Sequence, residues 1–479
     1  MSRAPRPRRA ALLTRAAFAA VDATRAQAPP VRVVHIGLGV FHRAHQAWYT
    51  DRAADAAQWG IAAFTGRSPQ AALELAPQDG LFTLIERAAD RDQGSVVASI
   101  VQAVDGADLE SFLTLLSSHS TAIVTTTVTE AGYRLDPTGE PNGADPVLAA
   151  DLRYIAAATR RPRLLAQAGG GPQSALGRLL LGLEARRRAG GGPIAIVPCD
   201  NVPSNGAFVA TGLAAMASRS DGELAAWIDR NVSFVSTSVD RITPKATPAD
   251  LLSATSLTGW RDQATVVTEP FKDWVLSGDF PAGRPEWESC GARFVSDIEP
   301  FERRKLWLLN GAHSLLAYMG LGRGHETVAQ AMADQPCLDR VDEYWDEAAR
   351  QLPAAQLDLV SYRAALVDRF ENPRIEYRLR QIATDGVAKL RVRIAPVVLA
   401  ERAEGRDAEA SLRGLGCWLG LILGGSEFAD TEAAAVAAAA RKPLRAAIEA
   451  LVGLVEPRLV EDPLVMSSLA RIASEASSI

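Results

Sequence analysis

Short apolar runs rich in β-branched residues alternate with helix-like stretches through the first 240 residues of the chain. Val31 to Ile36 (VRVVHI) reads as a buried strand ending at Gly37-Leu38-Gly39, and the stretch from Phe41 to about Ala57 reads as a helix. Ile61 to Thr65, Ser95 to Val104 and Ala122 to Val128 are the next strand candidates, and Ile194 to Cys199 closes the series. A basic helix, Ser174 to Arg188, lies between glycine breaks at 169–171 and 190–192. Apolar strands separated by helices predict right-handed crossovers and a parallel sheet covered on both faces. From about Pro300 the period changes. Leu306–Tyr318, Thr327–Met332, Leu338–Leu352, Tyr362–Phe370, Tyr377–Thr384, Leu412–Leu423 and Thr431–Val452 follow without a convincing strand, the last interrupted by Pro443. The pattern predicts an arm over 1–30, an α/β domain over 31–295 and an all-helical domain over 296–479.

Composition narrows the function classes. A chain of 479 residues, 48% hydrophobic and 22% charged, has material for two cores. Its net charge of -5 leaves no basic surplus for phosphates and argues against nucleic acid as a partner. Cys199, Cys290, Cys337 and Cys417 are far apart with no Cys-x-x-Cys pair, which reads as reduced thiols and gives no thiolate metal site. The first residues are Arg-rich and then Ala-rich, but Arg15 and Asp22 interrupt the apolar stretch, so an amphipathic helix or frayed arm is expected rather than a secretory signal. No run of 18 uncharged apolar residues occurs, so no membrane span and a cytoplasmic location are expected.

A strand, then Gly-x-Gly, then a helix is the geometry that seats a pyrophosphate on a helix N-terminus in a Rossmann-type doubly wound sheet. Gly37 would permit the tight turn, Gly39 the close approach of backbone to phosphate, and Val40 and Phe41 would open the helix. The third glycine of the full fingerprint falls at His42, and an ordinary strand-to-helix turn fits the same residues. At the end of the second strand, Thr65-Gly66-Arg67-Ser68 carries no carboxylate for a ribose 2′-hydroxyl. Arg67 could clasp a 2′-phosphate or stand as a solvated loop residue, which leaves NAD the expected cofactor with NADP open.

The stretch PFERRKLWLLNGAHSLLAYMG, residues 300–320, places four polar groups on one side of an apolar helix. With about 100° per residue and Lys305 at zero, Glu302 falls at roughly 60°, His313 at roughly 80° and Asn310 at roughly 140°. Burying an amine, an amide and an imidazole together requires that they satisfy one another, and desolvation would lower the lysine toward a working general base. A capped helix end, with Lys305 reaching to water and His313 satisfied in the core, fits as well. After the strand IAIVP, the segment PCDNVPSNG (198–206) stands where ligands bind in doubly wound sheets, and the Asn201 amide there could donate to a developing alkoxide. An Asx-turn is the alternative for Asn201, and Asn205-Gly206 looks like plain turn chemistry.

The segments IGLGVFHRAHQAWYTD (36–51), LAPQDGLFTLIER (75–87), VTEAGY (128–133), PCDNVPSNG (198–206), VDRITPKATP (239–248), EPFKDWVLSGDFPAGRPEWE (269–288), KLWLLNGAHSLLAYMG (305–320) and RFENPRIEYRLRQIATDG (369–386) together resemble the mannitol dehydrogenase family of long-chain polyol dehydrogenases. The likeness runs from about residue 31 to 395. It implies metal-independent NAD(P) chemistry on a small sugar alcohol or sugar acid. The implied roles are Lys305 as acid/base, Asn201 and Asn310 at the reacting oxygen, and His313 orienting the substrate, with Glu302 as a proton gate. The FHRAH histidines, His42 and His45, would pack near the nucleotide instead of binding metal. Arg380 and Lys389 are candidates for meeting a carboxylate, although AKLRVR (388–393) carries arginine where many relatives carry proline. The leading expectation is D-mannitol to D-fructose, with D-mannonate to D-fructuronate as the alternative. A non-catalytic nucleotide-binding relative and a zinc alcohol dehydrogenase are the rivals from other classes.

Overall fold

The computed structural model describes residues 10–160 and 170–476, which form two compact units, 1–298 and 299–479. Residues 1–9 of the predicted arm and Gly169 of the predicted glycine break lie outside the described residues.

Among its described residues the first unit is built on twelve strands: β1 Val31–Ile36, β2 Gly60–Phe64, β3 Phe82–Arg87, β4 Asp92–Val97, β5 Ile100–Val104, β6 Ile123–Thr126, β7 Ile194–Pro198, β8 Val232–Phe234, β9 Ser236–Asp240, β10 Val266–Thr268, β11 Asp273–Ser277 and β12 Arg293–Phe294. Six pair in parallel in the order β5-β2-β1-β6-β7-β8. Numbered along the chain, these six give 3-2-1-4-5-6, the Rossmann order, with the switch point between β1 and β6. Val33, Ile61, Ile123 and Val197 face one core, and Val34, Ala62, Val124 and Ile196 face a second on the other side of the sheet. That explains why these strands are continuously apolar rather than alternating.

The apolar pattern misjudged several boundaries. Ser95–Val104 is not one strand: β4 turns antiparallel onto β3, and β5 alone joins the parallel sheet. The series does not close at Cys199, because β8 adds a further parallel strand on β7. Two three-stranded sheets, β10-β3-β4 and β12-β11-β9, use short segments without a long apolar run. The helix expected over Phe41–Ala57 breaks at His45 into Val40–Ala44 and Gln46–Arg52. Among the described residues of the arm, only Arg15–Phe18 is helical, capped by Thr14. The described part of the arm is tied down: Leu13 and Phe18 are buried with Leu81 and Val96, and the Arg15 guanidinium donates to the carbonyls of Ala98 (2.7 Å) and Ile100 (2.9 Å).

The second unit is helical throughout its described residues apart from an isolated bridge. At its centre runs one continuous helix: Glu299–Arg304, a π-helical segment Lys305–Gly311, then Ala312–Gly322. The helices Gln335–Arg350, Gly386–Arg393 and Glu409–Leu423 pack around it, and Pro463–Ala476 packs on Glu409–Leu423. Gly386–Arg393, Ala395–Ala403 and Pro463–Ala476 were not marked by the hydrophobic period, and the Ala-rich tract breaks at Pro443 into Ala433–Ala440 and Leu444–Val455. No helix among the described residues is long and apolar enough to cross a membrane.

Candidate active site

In the first unit, the turn after β1 lies at the switch point of the sheet. Gly37 holds φ +112°, and a Cβ there would stand 2.5 Å from the carbonyl oxygen of Thr127, so the close packing of the turn on the end of β6 excludes any side chain. Gly39 differs: its Cβ would meet only the Gly37 oxygen, at 3.5 Å, and the space above it is open. Among the described residues no acceptor takes the N–H groups of Gly39, Val40 or Phe41, which open the helix. These donors and the open approach at Gly39 fit a nucleotide pyrophosphate.

Beneath this turn, His35 and His42 are fully buried and stacked, with centroids 3.3 Å apart and planes 8° from parallel. Thr127 Oγ1 donates to Gly37 O (2.8 Å), so it accepts from His35 Nε2 (3.2 Å), and His35 Nδ1 accepts from Thr125 (2.8 Å). His35 is therefore a neutral Nε2–H imidazole; burial pushes its pKa down to about 3. His45 donates from Nε2 to the Asp273 carbonyl (3.0 Å) and accepts from Gln46 at Nδ1 (3.0 Å). The FHRAH histidines thus take separate packing roles.

After β2, Thr65 accepts the Gly106 N–H at 2.8 Å, and Gly66, Arg67 and Ser68 are exposed. The segment from Gly60 to Leu73 holds no carboxylate.

At the end of β7, Asn201 is exposed and Asp200 accepts from the Tyr133 hydroxyl at 2.5 Å and the Val202 N–H at 3.0 Å. Asn205 is not a turn residue. It is fully buried at the start of the helix Asn205–Ser220, donates to Pro198 O (3.2 Å) and Thr237 O (3.2 Å), and accepts the Thr237 N–H (2.8 Å). Gly206 beside it lets the helix approach Ser236, whose N would lie 2.6 Å from a Cβ.

In the second unit, Lys305 and Asn310 lie in the π-helical segment, not in a regular α-helix, so the assumed 100° spacing fails there. Main-chain bonds in a π-helix run from i to i+5, which sets residues five apart on successive turns. That is the Lys305–Asn310 separation. Lys305 and Asn310 are half-buried, and His313 is buried with its ring 4.5 Å from Phe370 and 5.0 Å, edge-on, from Tyr377. Glu302, half-buried, lies one turn before Lys305. Three carbonyls of the π-helical segment are bonded by side chains: Trp307 O by Tyr344 Oη (2.8 Å), Leu308 O by Trp345 Nε1 (2.8 Å) and Asn310 O by Arg393 Nη1 (3.3 Å).

Arg393 was not singled out by the sequence pattern; its one legible signal is its place four residues after Lys389. Lys389 is half-buried, donates to Ile382 O (3.0 Å) and Thr384 Oγ1 (3.2 Å), and is pushed below the ordinary lysine range by burial and then by Arg393. Arg380 is exposed, with contacts to the Glu427 carbonyl (3.4 Å) and the Phe428 ring.

Comparison with known proteins gives a consistent picture. Residues 31–289 match the mannitol dehydrogenase Rossmann domain and residues 297–443 the mannitol dehydrogenase C-terminal domain. The chain is 36% identical to the uncharacterized oxidoreductase YeiQ of Escherichia coli (strain K12) over 82% of its own length and 79% of that protein's. It is 35% identical to the D-mannonate oxidoreductase of the same organism, over 81% and 79%. The solved Pseudomonas fluorescens mannitol 2-dehydrogenase, in ternary complex with NAD and D-mannitol, superposes with a TM-score of 0.77 at 32% identity, covering 94% of this chain and 92% of that one.

Proposed function

The chain belongs to the mannitol dehydrogenase family and is an oxidoreductase acting on polyol CH–OH groups, and we propose that it moves a hydride between the secondary alcohol carbon of a six-carbon polyol or sugar acid and NAD. The observation that carries this reading is the π-helical segment, which sets Lys305 and Asn310 on successive turns with His313 close behind. When bound, NAD supplies the two-electron acceptor; the open N–H groups of Gly39, Val40 and Phe41 suit its pyrophosphate, and NAD is the nucleotide named with the solved relative.

In the oxidation direction the substrate hydroxyl gives its proton to the Lys305 amine, the carbon–hydrogen bond breaks with its electron pair leaving as hydride, and a ketone forms. Asn310 donates to the oxygen as negative charge develops, and Asn201 is assigned the same role from the end of β7. His313, wedged between Phe370 and Tyr377, holds a substrate hydroxyl in place. Glu302 carries the proton from Lys305 to water, and reduction runs these steps backward. Lys389 is a substrate contact, and Arg380 and Arg67 remain candidates at the substrate and the ribose. D-Mannitol to D-fructose and D-mannonate to D-fructuronate both fit this chemistry.

Lys305→Ala tests it. Turnover should fall by about 10²- to 10⁴-fold while NADH binding, read by fluorescence, persists. Undiminished turnover would remove the lysine from the mechanism.

A further inference from the structure

Several arginines of the second unit pair with carboxylates. Arg323 meets Asp334, Arg350 meets Glu401, Arg391 meets Glu432 and Arg402 meets Asp462. Arg380, exposed, meets only a carbonyl and a ring, whereas Arg393 lacks a carboxylate while partly withdrawn from water. It is half-buried beside the π-helical segment, and among the described residues no carboxylate lies within 4 Å of it. Burial pushes its guanidinium below the ordinary arginine range. Lys389, one helical turn away on the same face, also meets only neutral oxygens, from Ile382 and Thr384. Asp385 and Asp430 act on Lys389 from beyond bonding distance, and neither cation has a carboxylate bonded to it; two partly desolvated cations so placed cost stability that a ligand's counter-charge would offset.

The donor count shows what kind of anion suits them. A guanidinium has five N–H groups. Nη1 of Arg393 uses its two on Asn310 O (3.3 Å) and Ser314 Oγ (3.2 Å). The Nε and Nη2 edge keeps its donors, and two parallel N–H groups on one edge match the two oxygens of a carboxylate. Its link to the proposed chemistry is direct: Arg393 Nη1 bonds the main-chain carbonyl of Asn310.

We propose that Arg393, supported by Lys389, makes this a site for a sugar acid, its Nε/Nη2 edge receiving the substrate carboxylate while Nη1 stays anchored on Asn310 and Ser314. The proposal rests on the dehydrogenase reading above and selects the acid over the neutral polyol. A single two-donor edge suits a carboxylate better than a phosphate, whose three oxygens call for more donors.

The test compares D-mannonate, D-mannitol and D-mannitol 1-phosphate as substrates of the full chain with NAD. D-Mannonate should show the highest kcat/KM. Arg393→Met should lower the preference for D-mannonate over D-mannitol by about 10- to 100-fold, chiefly through KM, and Arg393→Lys should restore part of it. Should Arg393→Met fold poorly, the unaltered enzyme still decides: glycerate should inhibit at far lower concentration than glycerol. Preference for D-mannitol or its phosphate, an equal loss on acid and polyol, or equal inhibition by glycerate and glycerol overturns the assignment of Arg393 and leaves the dehydrogenase standing. Failure to oxidise any of the three overturns the dehydrogenase reading itself.

Discussion

The phenol of Tyr344 donates to the main-chain carbonyl of Trp307 at 2.8 Å. Its neighbour Trp345 does the same for Leu308, so the helix Gln335–Arg350 adds side-chain hydrogen bonds to two carbonyls of the π-helical segment. Gly311 completes the arrangement, because a Cβ there would lie 1.9 Å from the Tyr344 oxygen. Tyr344→Phe leaves a buried carbonyl short of a donor and should destabilise the protein by about 1–3 kcal/mol. Gly311→Ala forces the phenol out and should lower the melting temperature further. Calorimetric melts of the two variants check both, and an unchanged melt for Tyr344→Phe would mean the π turn holds without it.

The two glycines after β1 should separate by experiment. Gly37→Ala places a methyl group against Thr127 at a positive φ, so it should lose melting temperature and nucleotide affinity together. Gly39→Val meets no neighbour but Gly37 and should melt close to the parent. It should nonetheless weaken NADH binding by at least about 10-fold, since it fills the approach to the helix N-terminus. Fluorescence titration beside a thermal melt distinguishes them; a Gly39→Val protein that binds NADH normally would place the pyrophosphate elsewhere.

Acid should destabilise the first unit before its carboxylates titrate. His35 is neutral in the fold with its pKa at about 3 against 6.5 for an unburied histidine, and His42 against it is also held low by burial. A pKa lowered on folding contributes stability that is present above pH 6.5 and lost as pH falls toward 3, because the unfolded chain takes up the proton first. The loss should approach about 1.4 kcal/mol per pH unit for His35 in that window, with His42 acting in the same direction. Urea unfolding at pH 7.5, 6 and 5 measures it, and His35→Gln should flatten the slope.

Much of this was legible in the chain. The parallel core could be read because strands buried on both faces are continuously apolar, and the change of period near Pro300 marked where helices take over. The two small mixed sheets and the edge strand β8 were missed, since β8, β10 and β12 have three, three and two residues and are specified by pairing partners elsewhere in the chain. Lys305, Asn310 and His313 were identifiable by type, but their angular relation was not: nothing in KLWLLNG announces a π-helix, whose carbonyls are satisfied by Tyr344, Trp345 and Arg393 from distant segments. Asn205 shows the same limit. Asn-Gly is a turn signal locally, yet here its side chain ties β7 to β9.

Chelation should leave turnover unchanged, and the reason lies in Asp334. Among the described residues, His325, Asp334 and Cys337 are the one group of three potential metal donors within 4.8 Å of one another. Arg323 already holds Asp334 through two bonds, at 2.5 and 3.2 Å, and His325 adds a third at 2.8 Å. These partners pull the carboxyl down to about 2, while burial pushes the Cys337 thiol up to about 12, away from the thiolate a metal needs. A divalent cation would have to displace a guanidinium and deprotonate a buried thiol for three ligands. Dialysis against EDTA should therefore not change kcat, and calorimetric titration with zinc should show no tight site. Activity lost to EDTA and restored by zinc would replace the lysine-centred chemistry with a metal-centred one.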